Sequence, residues 1–351
     1  MALFSTHNVS IKGISACVPV FEYNNMDYKW IPVKERELNI KTVGVEKRRI
    51  AQKGVTTSDL CFHATERLMK DLQLKKEDIE LLIFIAQARD YYLPATSIIL
   101  QDRLGLSKKC MAFDVGLGCS GYVYGLSIAA GLLNSFKLKK ALLLVGDVST
   151  HGISYKDKSA FNLFGDAGTA TFLEYDENAV PMHFNMNSDG SNFDAIYIPH
   201  SGSRRIPDKS SYNIRKFGPG IYRNMAQLAL DGVRVFNFAT MDVPPNINEL
   251  LEWQNLTVEN IDQFVFHQAN LLMNEIIRKK IKIPKEKHPY SIQKFGNTSS
   301  ASVPLTMITQ LRKQLIENKM KFLLAGFGVG LSMGSVILET NKIVCSELVE
   351  V

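Results

Sequence analysis

The sequence predicts an α/β fold made of two related halves, and two observations support this prediction. Short aliphatic runs alternate with stretches of helical periodicity, which is typical of βαβ units with largely parallel sheets. Several runs also recur in the same order about 180 positions further on, as expected for an internal duplication. We therefore divide the chain into residues 1–180 and 181–351. The corresponding segments are Ile79–Ile85 and Ile261–His267, Leu142–Gly146 and Phe322–Gly326, and, with a small gap, Gly168–Glu174 and Gly334–Glu339.

The first half begins with an alternating strand at Val9–Val18, followed by charged and irregular residues from 21 to 53. The basic cluster Lys47-Arg48-Arg49 in that stretch is interpreted as part of a solvated loop. Thr57-Ser58-Asp59 predicts the start of a helix that ends near Leu72. The other elements predicted in this half are a strand at Ile79–Ile85, a helix opening at Leu93-Pro94, a strand from Met111 with a helix to about Leu133, a strand at Ala141–Val145, and a glycine turn and strand at Gly165–Glu174.

The second half is expected to repeat this order. Residues 185–220 are rich in Ser, Gly, Asn and Pro, which indicates a loop around one or two edge strands. A long helix is predicted at about Tyr222–Thr240, and a strand at Ile261–His267. The segment Phe295–Pro304 is predicted to form a strand-to-helix junction equivalent to the one that follows Met111 in the first half.

The composition is that of an ordinary globular protein and argues against several functions. Its 351 residues carry a net charge of +6, which does not indicate nucleic-acid binding without a concentrated basic patch. Five irregularly spaced cysteines without a C-x-x-C pair indicate reduced thiols in a cytoplasmic protein. The N-terminus lacks the features of a signal peptide, and no apolar run is long enough to span a membrane. Neither a membrane nor a metal is therefore expected as a partner.

Cys119 is the first candidate functional residue, because it lies where a strand passes into a helix N-terminus. Unpaired N–H groups and the helix dipole at such a position stabilise the thiolate, which is the nucleophilic form of cysteine. Gly116, Gly118 and Gly121 leave room for a substrate carbonyl to approach the sulfur. Two alternatives to a catalytic cysteine are a packed core thiol and a dinucleotide site, since these glycines fit G-x-G-x-x-G. The dinucleotide site is disfavoured, because no acidic residue follows about 20 positions further on.

His267 and Asn297 are the other candidates for a catalytic set. His267 ends a predicted strand of apolar residues, and Asn297 follows a glycine at the second strand-to-helix junction. Taken singly, the histidine is typical of a hydrogen-bonded structural residue, and the asparagine of a cap or turn. Together with Cys119, they lie at corresponding strand ends of a duplicated α/β fold, which is where open sheets place their ligands.

On these residues, the chain resembles the 3-oxoacyl-[acyl-carrier-protein] synthase III family of thiolase-fold condensing enzymes. The matching segments occur in the family's order and spacing over nearly the whole chain. The resemblance implies a thiolase-like fold of five layers, αβαβα, made of two duplicated βαβαβαββ halves, and a homodimer. The matching segments are Asp114–Gly121, Phe164–Gly168, His267–Leu271, Gly296–Pro304, and Ala325–Gly328 through Gly334-Ser335.

The resemblance also implies the chemistry and the role of each residue. Cys119 would form an acyl-enzyme with a primer thioester, and malonyl-acyl carrier protein would then lose CO₂ and condense with it. His267 and Asn297 would direct N–H donors at the enolate oxygen. Backbone N–H groups of Cys119 and of the Gly328–Val329 turn would form a second oxyanion hole, and Phe327 would lie near the malonyl carboxylate. No cofactor is implied beyond the phosphopantetheine that carries the substrates.

The substrate-binding positions depart from the family pattern. The family tryptophan that stacks on the adenine of coenzyme A corresponds to Leu38, and two arginines beside it correspond to Lys41 and Lys158. Because lysine lacks a planar guanidinium, a primer bound to a carrier protein becomes an alternative to an acyl-coenzyme A. Leu93 corresponds to the aromatic gate of the acyl pocket. Arg278-Lys279-Lys280 present a basic helix face to an acidic carrier protein or, alternatively, only to solvent.

A decarboxylative condensing enzyme of fatty-acid or related acyl or polyketide biosynthesis is thus the preferred prediction, with three alternatives. A thiolase-fold acyltransferase or thioester hydrolase would form an acyl-cysteine without condensing it. A cysteine protease has the same chain order of Cys, His and Asn, but not the duplicated βαβ pattern. A non-catalytic partner of a condensing enzyme would be expected to lack the nucleophile.

Overall fold

The computed structural model describes residues 2–351. The helices are α1 (Val33–Val43), α2 (Thr57–Asp71), α3 (Thr96–Arg103), α4 (Gly121–Phe136), α5 (Gly232–Trp253), α6 (Leu271–Ile281), α7 (Ile292–Phe295) and α8 (Ser302–Glu317). The strands are β1 (Ala2–Thr6), β2 (Val9–Val18), β3 (Glu22–Asn24), β4 (Lys47–Arg49), β5 (Leu81–Ile85), β6 (Met111–Val115), β7 (Lys140–Asp147), β8 (Ala167–Tyr175), β9 (Met182–Ser188), β10 (Ile196–Tyr197), β11 (Arg215–Gly218), β12 (Ile221–Arg223), β13 (Ala229–Leu230), β14 (Gln263–Phe266), β15 (Lys319–Gly328), β16 (Ser332–Asn341), β17 (Val344–Cys345) and β18 (Val349–Glu350).

Two mixed sheets form the framework. The first has the strand order β17-β2-β8-β7-β5-β6, with β18 also paired to β2, and the second has the order β1-β9-β16-β15-β14. In the first sheet β5 runs parallel to β6 and β7, whereas β8 runs antiparallel to both of its neighbours. The second sheet is antiparallel except for the β14–β15 pair. The prediction of largely parallel sheets is wrong here, because the short link Val329–Leu331 between β15 and β16 cannot form the crossover that a parallel pair needs.

Helices cover and separate these sheets, which gives five layers. Helices α4 and α8 pack between the two sheets in one continuous hydrophobic cluster. Helices α2 and α3 cover the outer face of the first sheet, and α5 and α6 cover the outer face of the second. This αβαβα order agrees with the fold class predicted from the sequence.

The terminal strands are exchanged between the two sheets. Strand β1 pairs with β9 in the second sheet, although it begins the chain. Strands β17 and β18 end the chain but pair with β2 in the first sheet. The division into residues 1–180 and 181–351 stays a prediction about duplication, and these exchanged strands join the two halves into one folded body.

Local signals account for several element boundaries. Strand β2 spans the predicted Val9–Val18, and α2 begins after Thr56, which forms a reciprocal capping box with Asp59. The helix predicted at Tyr222–Thr240 is misplaced, since α5 spans Gly232–Trp253. It begins there because the Asp231 carboxylate caps its first N–H groups.

The described residues also bear on membranes, metals and disulfides. Within residues 2–351, every helix is too short or too polar to cross a lipid bilayer. In the same part of the chain, no group of three or more His, Cys, Asp or Glu side chains is arranged to hold a metal ion. The five cysteines carry free thiols.

Candidate active site

Cys119, His267 and Asn297 line one cavity of about 230 Å³, which we call the first cavity. Cys119 lies between β6 and α4, His267 follows β14 directly, and Asn297 follows α7. All three side chains are buried from bulk solvent. The remaining predicted residues of the reaction centre, Phe327 and the Gly328–Val329 turn, also line this cavity.

The Cys119 sulfur packs against the turn that joins β15 to β16. A Cβ atom on Gly328 would lie only 2.7 Å from Sγ, so the backbone of this turn directly contacts the sulfur. Burial raises the pKa of the thiol to about 11, although hydrogen bonds from the Val329 N–H, the Ser299 hydroxyl and the Cys119 N–H act in the opposite direction. The thiol is therefore protonated at neutral pH, and the thiolate expected from the helix N-terminus alone is wrong for the resting site. A proton acceptor is required.

Gly118 and Gly121 have a different role from the predicted one, whereas a Cβ on Gly116 would meet no atom within 4 Å. A Cβ on Gly118 would lie 2.9 Å from Gln87 Oε1, and one on Gly121 would lie 2.8 Å from Ile85 Cγ2. These positions therefore allow α4 and its preceding loop to pack closely against the end of β5. Room beside the sulfur itself depends on Gly328.

We expect Gly328→Ala to slow acyl-enzyme formation on Cys119 by about 10²-fold, because displacement of a reacting atom by roughly 1 Å has that effect. Intact-protein mass spectrometry after timed incubation with an acyl thioester measures the rate. Gly131→Ala is the matched control, since no atom lies within 4 Å of the added methyl group. Equal rates for the two variants would show that the sulfur tolerates a side chain at position 328.

His267 is fixed by its backbone and by one hydroxyl group. Its N–H donates to the Ala325 carbonyl at 2.7 Å, and Asn274 Nδ2 donates to its carbonyl at 3.1 Å. Its Nδ1 lies 2.7 Å from Ser302 Oγ, and the Phe327 ring stands edge-on to the imidazole at 5.5 Å between centroids. Burial lowers the pKa of His267 to about 3, so the imidazole is neutral at physiological pH.

The Ser302 hydroxyl determines the tautomer of His267. Ser302 Oγ donates to the Ser299 carbonyl at 2.8 Å, so it accepts from His267 Nδ1–H in the same arrangement. The neutral imidazole then has no proton on Nε2, which can only accept a hydrogen bond. If the Ser302 proton turns to Nδ1 instead, Nε2 carries the proton and can donate into the cavity. The predicted N–H donation by His267 therefore depends on Ser302, a residue that the sequence patterns did not identify.

Asn297 is held by an isolated bridge to the segment around Phe164. Its N–H donates to the Leu163 carbonyl at 2.9 Å, and its carbonyl accepts from Gly165 N–H at 3.0 Å. Its side-chain Oδ1 accepts from Ser299 N–H at 2.9 Å, which leaves Nδ2 as the end that can donate into the cavity.

The strand predicted before Asn297 is wrong, because Ile292–Phe295 forms helix α7. Pro289 lies in the chain just before this helix and has no N–H group to donate to a strand ladder. The second half therefore reaches the cavity through a helix and a bridge at the position where the first half has a strand.

Arg48 supports the Asn297 segment and corrects the interpretation of the basic cluster. Its side chain is 1% exposed, so it does not belong to a solvated loop. Nη1 donates to the Phe164 carbonyl at 2.9 Å, and the guanidinium lies over the rings of Tyr23 and Phe161. Arg48 thus fixes the residue that forms the bridge to Asn297.

We expect Arg48→Lys to lower the free energy of unfolding by about 2–3 kcal/mol, because lysine cannot keep both the hydrogen bonds and the planar contact with two rings. Urea unfolding followed by circular dichroism measures the change. Arg67→Lys is the control, since Arg67 forms an exposed i,i+4 pair with Asp71, and such pairs contribute little. Equal losses in the two variants would contradict the structural role of Arg48.

Three of the four predicted substrate residues are connected through α1, which carries Leu38 and Lys41 and pairs with Lys158 through Glu35, whereas Leu93 lies on the loop between β5 and α3. Lys158 lines the first cavity, and its Nζ pairs with Glu35 at 2.6 Å. Leu38 and Lys41 lie on α1 and do not line that cavity. Leu93 is 86% exposed and lines neither of the cavities that reach Cys119.

The predicted basic face on α6 is largely engaged within the fold. Arg278 pairs with Glu275 at 2.9 Å, and Lys280 donates to a main-chain carbonyl of α5 at 2.8 Å. Lys279 lies between them in the last turn of α6. The opposite end of the same helix, near Asn270 and Met273, lines the first cavity.

A second cavity, of about 410 Å³, also reaches Cys119, and of its lining residues only Cys119 and Val329 were predicted as site residues from the sequence. Its wall combines apolar residues with buried or half-buried polar groups near the ends of β5 and β7. Phe164 and Val329 line both cavities, so Cys119 lies where the two meet. The residues that line the second cavity include Gln87, Ala88, Arg89, Asp147, His151 and Ser299.

Comparison with known proteins gives the family. The family model for the 3-oxoacyl-[acyl-carrier-protein (ACP)] synthase III C terminal matches residues 251–340, and the model for 3-oxoacyl-[acyl-carrier-protein (ACP)] synthase III matches residues 113–190. A putative 3-oxoacyl-[acyl-carrier-protein] synthase 3 from Campylobacter jejuni is 34% identical over 300 residues, covering 85% of this chain and 83% of the relative. A beta-ketoacyl-[acyl-carrier-protein] synthase III from Caldanaerobacter subterraneus is 31% identical over 334 residues, covering 95% and 98%.

A solved structure shows the same relationship over the whole fold. The crystal structure of a 3-oxoacyl-(acyl-carrier protein) synthase from Burkholderia xenovorans LB400 superposes with a TM-score of 0.93 at 34% identity, covering 99% of both chains. The chain therefore belongs to the 3-oxoacyl-[acyl-carrier-protein] synthase III family, acyltransferases of the thiolase-like fold.

Proposed function

We propose that the protein joins an acyl primer, held as a thioester on Cys119, to malonyl-acyl carrier protein by decarboxylative Claisen condensation, in fatty-acid or related acyl or polyketide biosynthesis. The observation that carries the proposal is that Cys119, His267 and Asn297 line one cavity. The second cavity leaves space beside the same sulfur for the acyl chain. The reaction needs no cofactor, because the thioester substrates supply all the reactive groups.

In the first half-reaction, Cys119 Sγ attacks the carbonyl carbon of the primer thioester. The tetrahedral oxyanion is stabilised by backbone N–H groups of Cys119 and Val329; both residues line the first cavity, which supports this role. The carrier thiol leaves with a proton, and the acyl group remains on Cys119. The thiol proton must pass to an acceptor at this stage, because the resting cysteine is protonated.

In the second half-reaction, the malonyl thioester loses CO₂, and the resulting enolate carbon attacks the acyl-cysteine. Negative charge develops on the enolate oxygen. Asn297 Nδ2–H donates to that oxygen, and His267 Nε2–H donates once the Ser302 proton turns from the Ser299 carbonyl to Nδ1. The Phe327 ring provides an apolar wall that favours release of the carboxylate as neutral CO₂.

The test is incubation of the purified protein with an acyl thioester and malonyl-acyl carrier protein. We expect one CO₂ and one 3-oxoacyl product for each acyl group consumed. A thioester hydrolase or a simple acyltransferase would consume the acyl thioester and form no 3-oxo product. Parallel reactions with coenzyme A esters and carrier-bound esters compare the two primer sources. Lys158, which pairs with Glu35, is the predicted substrate residue to which this comparison applies.

The proposal extends to partners and location. Tyr91, Tyr92 and Leu93 form an exposed apolar loop, which supports a homodimer, and sedimentation equilibrium tests it. Acyl carrier protein is the macromolecular partner, and the exposed Lys279 is the side chain of the α6 face that tests its docking. Lys279→Glu would then raise KM for malonyl-acyl carrier protein more than for malonyl-coenzyme A.

The five free thiols support a cytoplasmic location, which cell fractionation would test.

A further inference from the structure

We propose that Ser299 and Asp147 form a proton relay that removes the thiol proton of Cys119 during acylation. This relay rests on the proposed function, in which neither Ser299 nor Asp147 has a role. In this relay Ser299 Oγ takes the proton from the sulfur, and the Asp147 carboxylate receives a proton from Ser299; all three residues line the second cavity.

Ser299 is held rigidly between the two ends of this relay. Its backbone adopts φ +52°, a left-handed conformation that is uncommon for a residue with a side chain. The conformation is held by its N–H, which donates to Asn297 Oδ1, and by its carbonyl, which accepts from Ser302 Oγ. Its buried hydroxyl lines the second cavity together with Cys119 and Asp147.

Asp147 has one oxygen fixed and one oxygen available. Oδ1 accepts from Gln87 N–H at 2.8 Å and from Ala88 N–H at 2.9 Å. Asp147 is only 1% exposed, so Oδ2 is shielded from solvent. Within residues 2–351, Oδ2 nevertheless has no hydrogen-bond partner. A buried carboxylate oxygen without a partner is costly, and Oδ2 is therefore the oxygen of Asp147 that can accept a proton. Rotation of the Ser299 hydroxyl toward Oδ2 would complete the relay from the sulfur.

The transfer is balanced in protons and electrons. As Sγ forms its bond to the primer carbonyl carbon, the S–H proton moves to Ser299 Oγ, and the Ser299 proton moves to Asp147 Oδ2. The serine is neutral before and after the step. When the carbonyl re-forms, the leaving thiolate of the carrier takes a proton, so Asp147 can be deprotonated again for the next cycle.

The groups that face Asp147 set its basicity. Burial raises its pKa to about 6, opposed by the Ala88 N–H, the Ser299 hydroxyl and the Gln87 N–H, and assisted by the nearby Asp166 carboxylate. Arg89 and His151 line the same cavity, and the buried Cys61 thiol lies on the adjacent helix α2. Asp147 is therefore mostly ionised at pH 7. It is a stronger proton acceptor than His267, whose pKa burial lowers to about 3.

The experiment measures acylation of Cys119 by rapid quench and intact-protein mass spectrometry from pH 5 to pH 10, for the wild type, Asp147→Asn and Ser299→Gly. Asparagine keeps the acceptor for Gln87 and Ala88 but cannot take a proton. Glycine removes the hydroxyl and tolerates the positive φ, so this variant adds no backbone strain. Asp114→Asn is the matched control, because Asp114 also accepts two backbone N–H groups but lines neither cavity.

We expect both variants to acylate about 10²-fold more slowly than the wild type at pH 7, which is a typical contribution of a general base. The wild-type rate should rise with an inflection near pH 6, the pKa of Asp147, and then level off. The variants should lack that inflection and gain about tenfold per pH unit as the thiol ionises directly. Acyl-enzyme loaded to completion should condense with malonyl-acyl carrier protein within a few-fold of the wild-type rate.

Two results would overturn the relay. One is a wild-type rate and inflection in Ser299→Gly and Asp147→Asn. The other is an equal loss of acylation and condensation in both variants, which indicates a structural role. If Asp147→Asn does not fold, Ser299→Gly alone decides between these results and the expected one. Failure of the wild type itself to form an acyl-Cys119 would instead contradict the proposed function.

Discussion

Cys119→Ala is expected to abolish acyl-enzyme formation, so that intact-protein mass spectrometry shows no added acyl mass after incubation with a primer thioester. Overall condensation should fall by at least about 10³-fold, because loss of a covalent nucleophile removes the pathway that depends on it. The fold should persist, since alanine leaves a small space beside Gly328 and exposes no polar group. Malonyl-acyl carrier protein should still bind, because its enolate-stabilising groups are on the other half of the chain.

Cys110→Ala is the control for this loss, since Cys110 is the most exposed of the other four thiols. Burial raises the pKa of Cys110 to about 11, close to that of Cys119, so its acidity would not distinguish the two. Position therefore distinguishes them, because Cys119 alone of this pair lies in the cavities. Acyl label on Cys110, or retained by Cys119→Ala, would refute the assignment of the nucleophile.

The parts of the fold that follow from local sequence were predicted, and those that depend on long-range pairing were not. Strand β2 and the capped start of α2 are set by alternation and by the Thr56–Asp59 box. Strand direction is different, because the antiparallel pairing of β15 with β16 depends on a three-residue link whose importance is visible only once both strands are placed. Likewise, no local sequence pattern indicates that β1 pairs in the second sheet while β17 and β18 pair in the first.

The candidate site shows the same division. Cys119, His267 and Asn297 have residue types and spacing that a family resemblance can identify. Ser299 and Asp147 cannot be found in this way, because their roles depend on a positive φ and on a buried oxygen without a partner, both of which are tertiary facts.

Arg48 shows how composition alone can mislead. A run of three basic residues is usually solvated, but β4 turns this side chain between two aromatic rings and under the Phe164 carbonyl. The neighbouring Lys47 pairs with Glu22 at the surface, as the composition suggests. Successive side chains of a strand point to opposite faces, so neighbouring basic residues of β4 differ in role: Arg48 is buried and structural, and Lys47 is at the surface.

His267→Ala and Asn297→Ala are expected to spare acylation and block condensation. Each variant removes one N–H donor from the enolate oxygen, which typically lowers the rate by about 10²–10³-fold. The measurement uses enzyme already acylated on Cys119, followed by CO₂ release and 3-oxo product after addition of malonyl-acyl carrier protein. The acylation rate, measured separately, is the internal control for folding.

Asn297→Asp tests the direction of the hydrogen bond, because it keeps the Oδ1 contact with Ser299 N–H and replaces the donor with a second carboxylate oxygen. It should condense more slowly than Asn297→Ala, since a carboxylate repels the developing enolate charge. Loss of acylation in a His267→Ala variant whose circular dichroism is unchanged would mean that the imidazole takes the thiol proton, which conflicts with a pKa lowered to about 3 by burial. Loss of condensation alone would assign His267 and Asn297 to the enolate, and the search for the thiol's base would then turn to the other side of Cys119, where Ser299 and Asp147 lie.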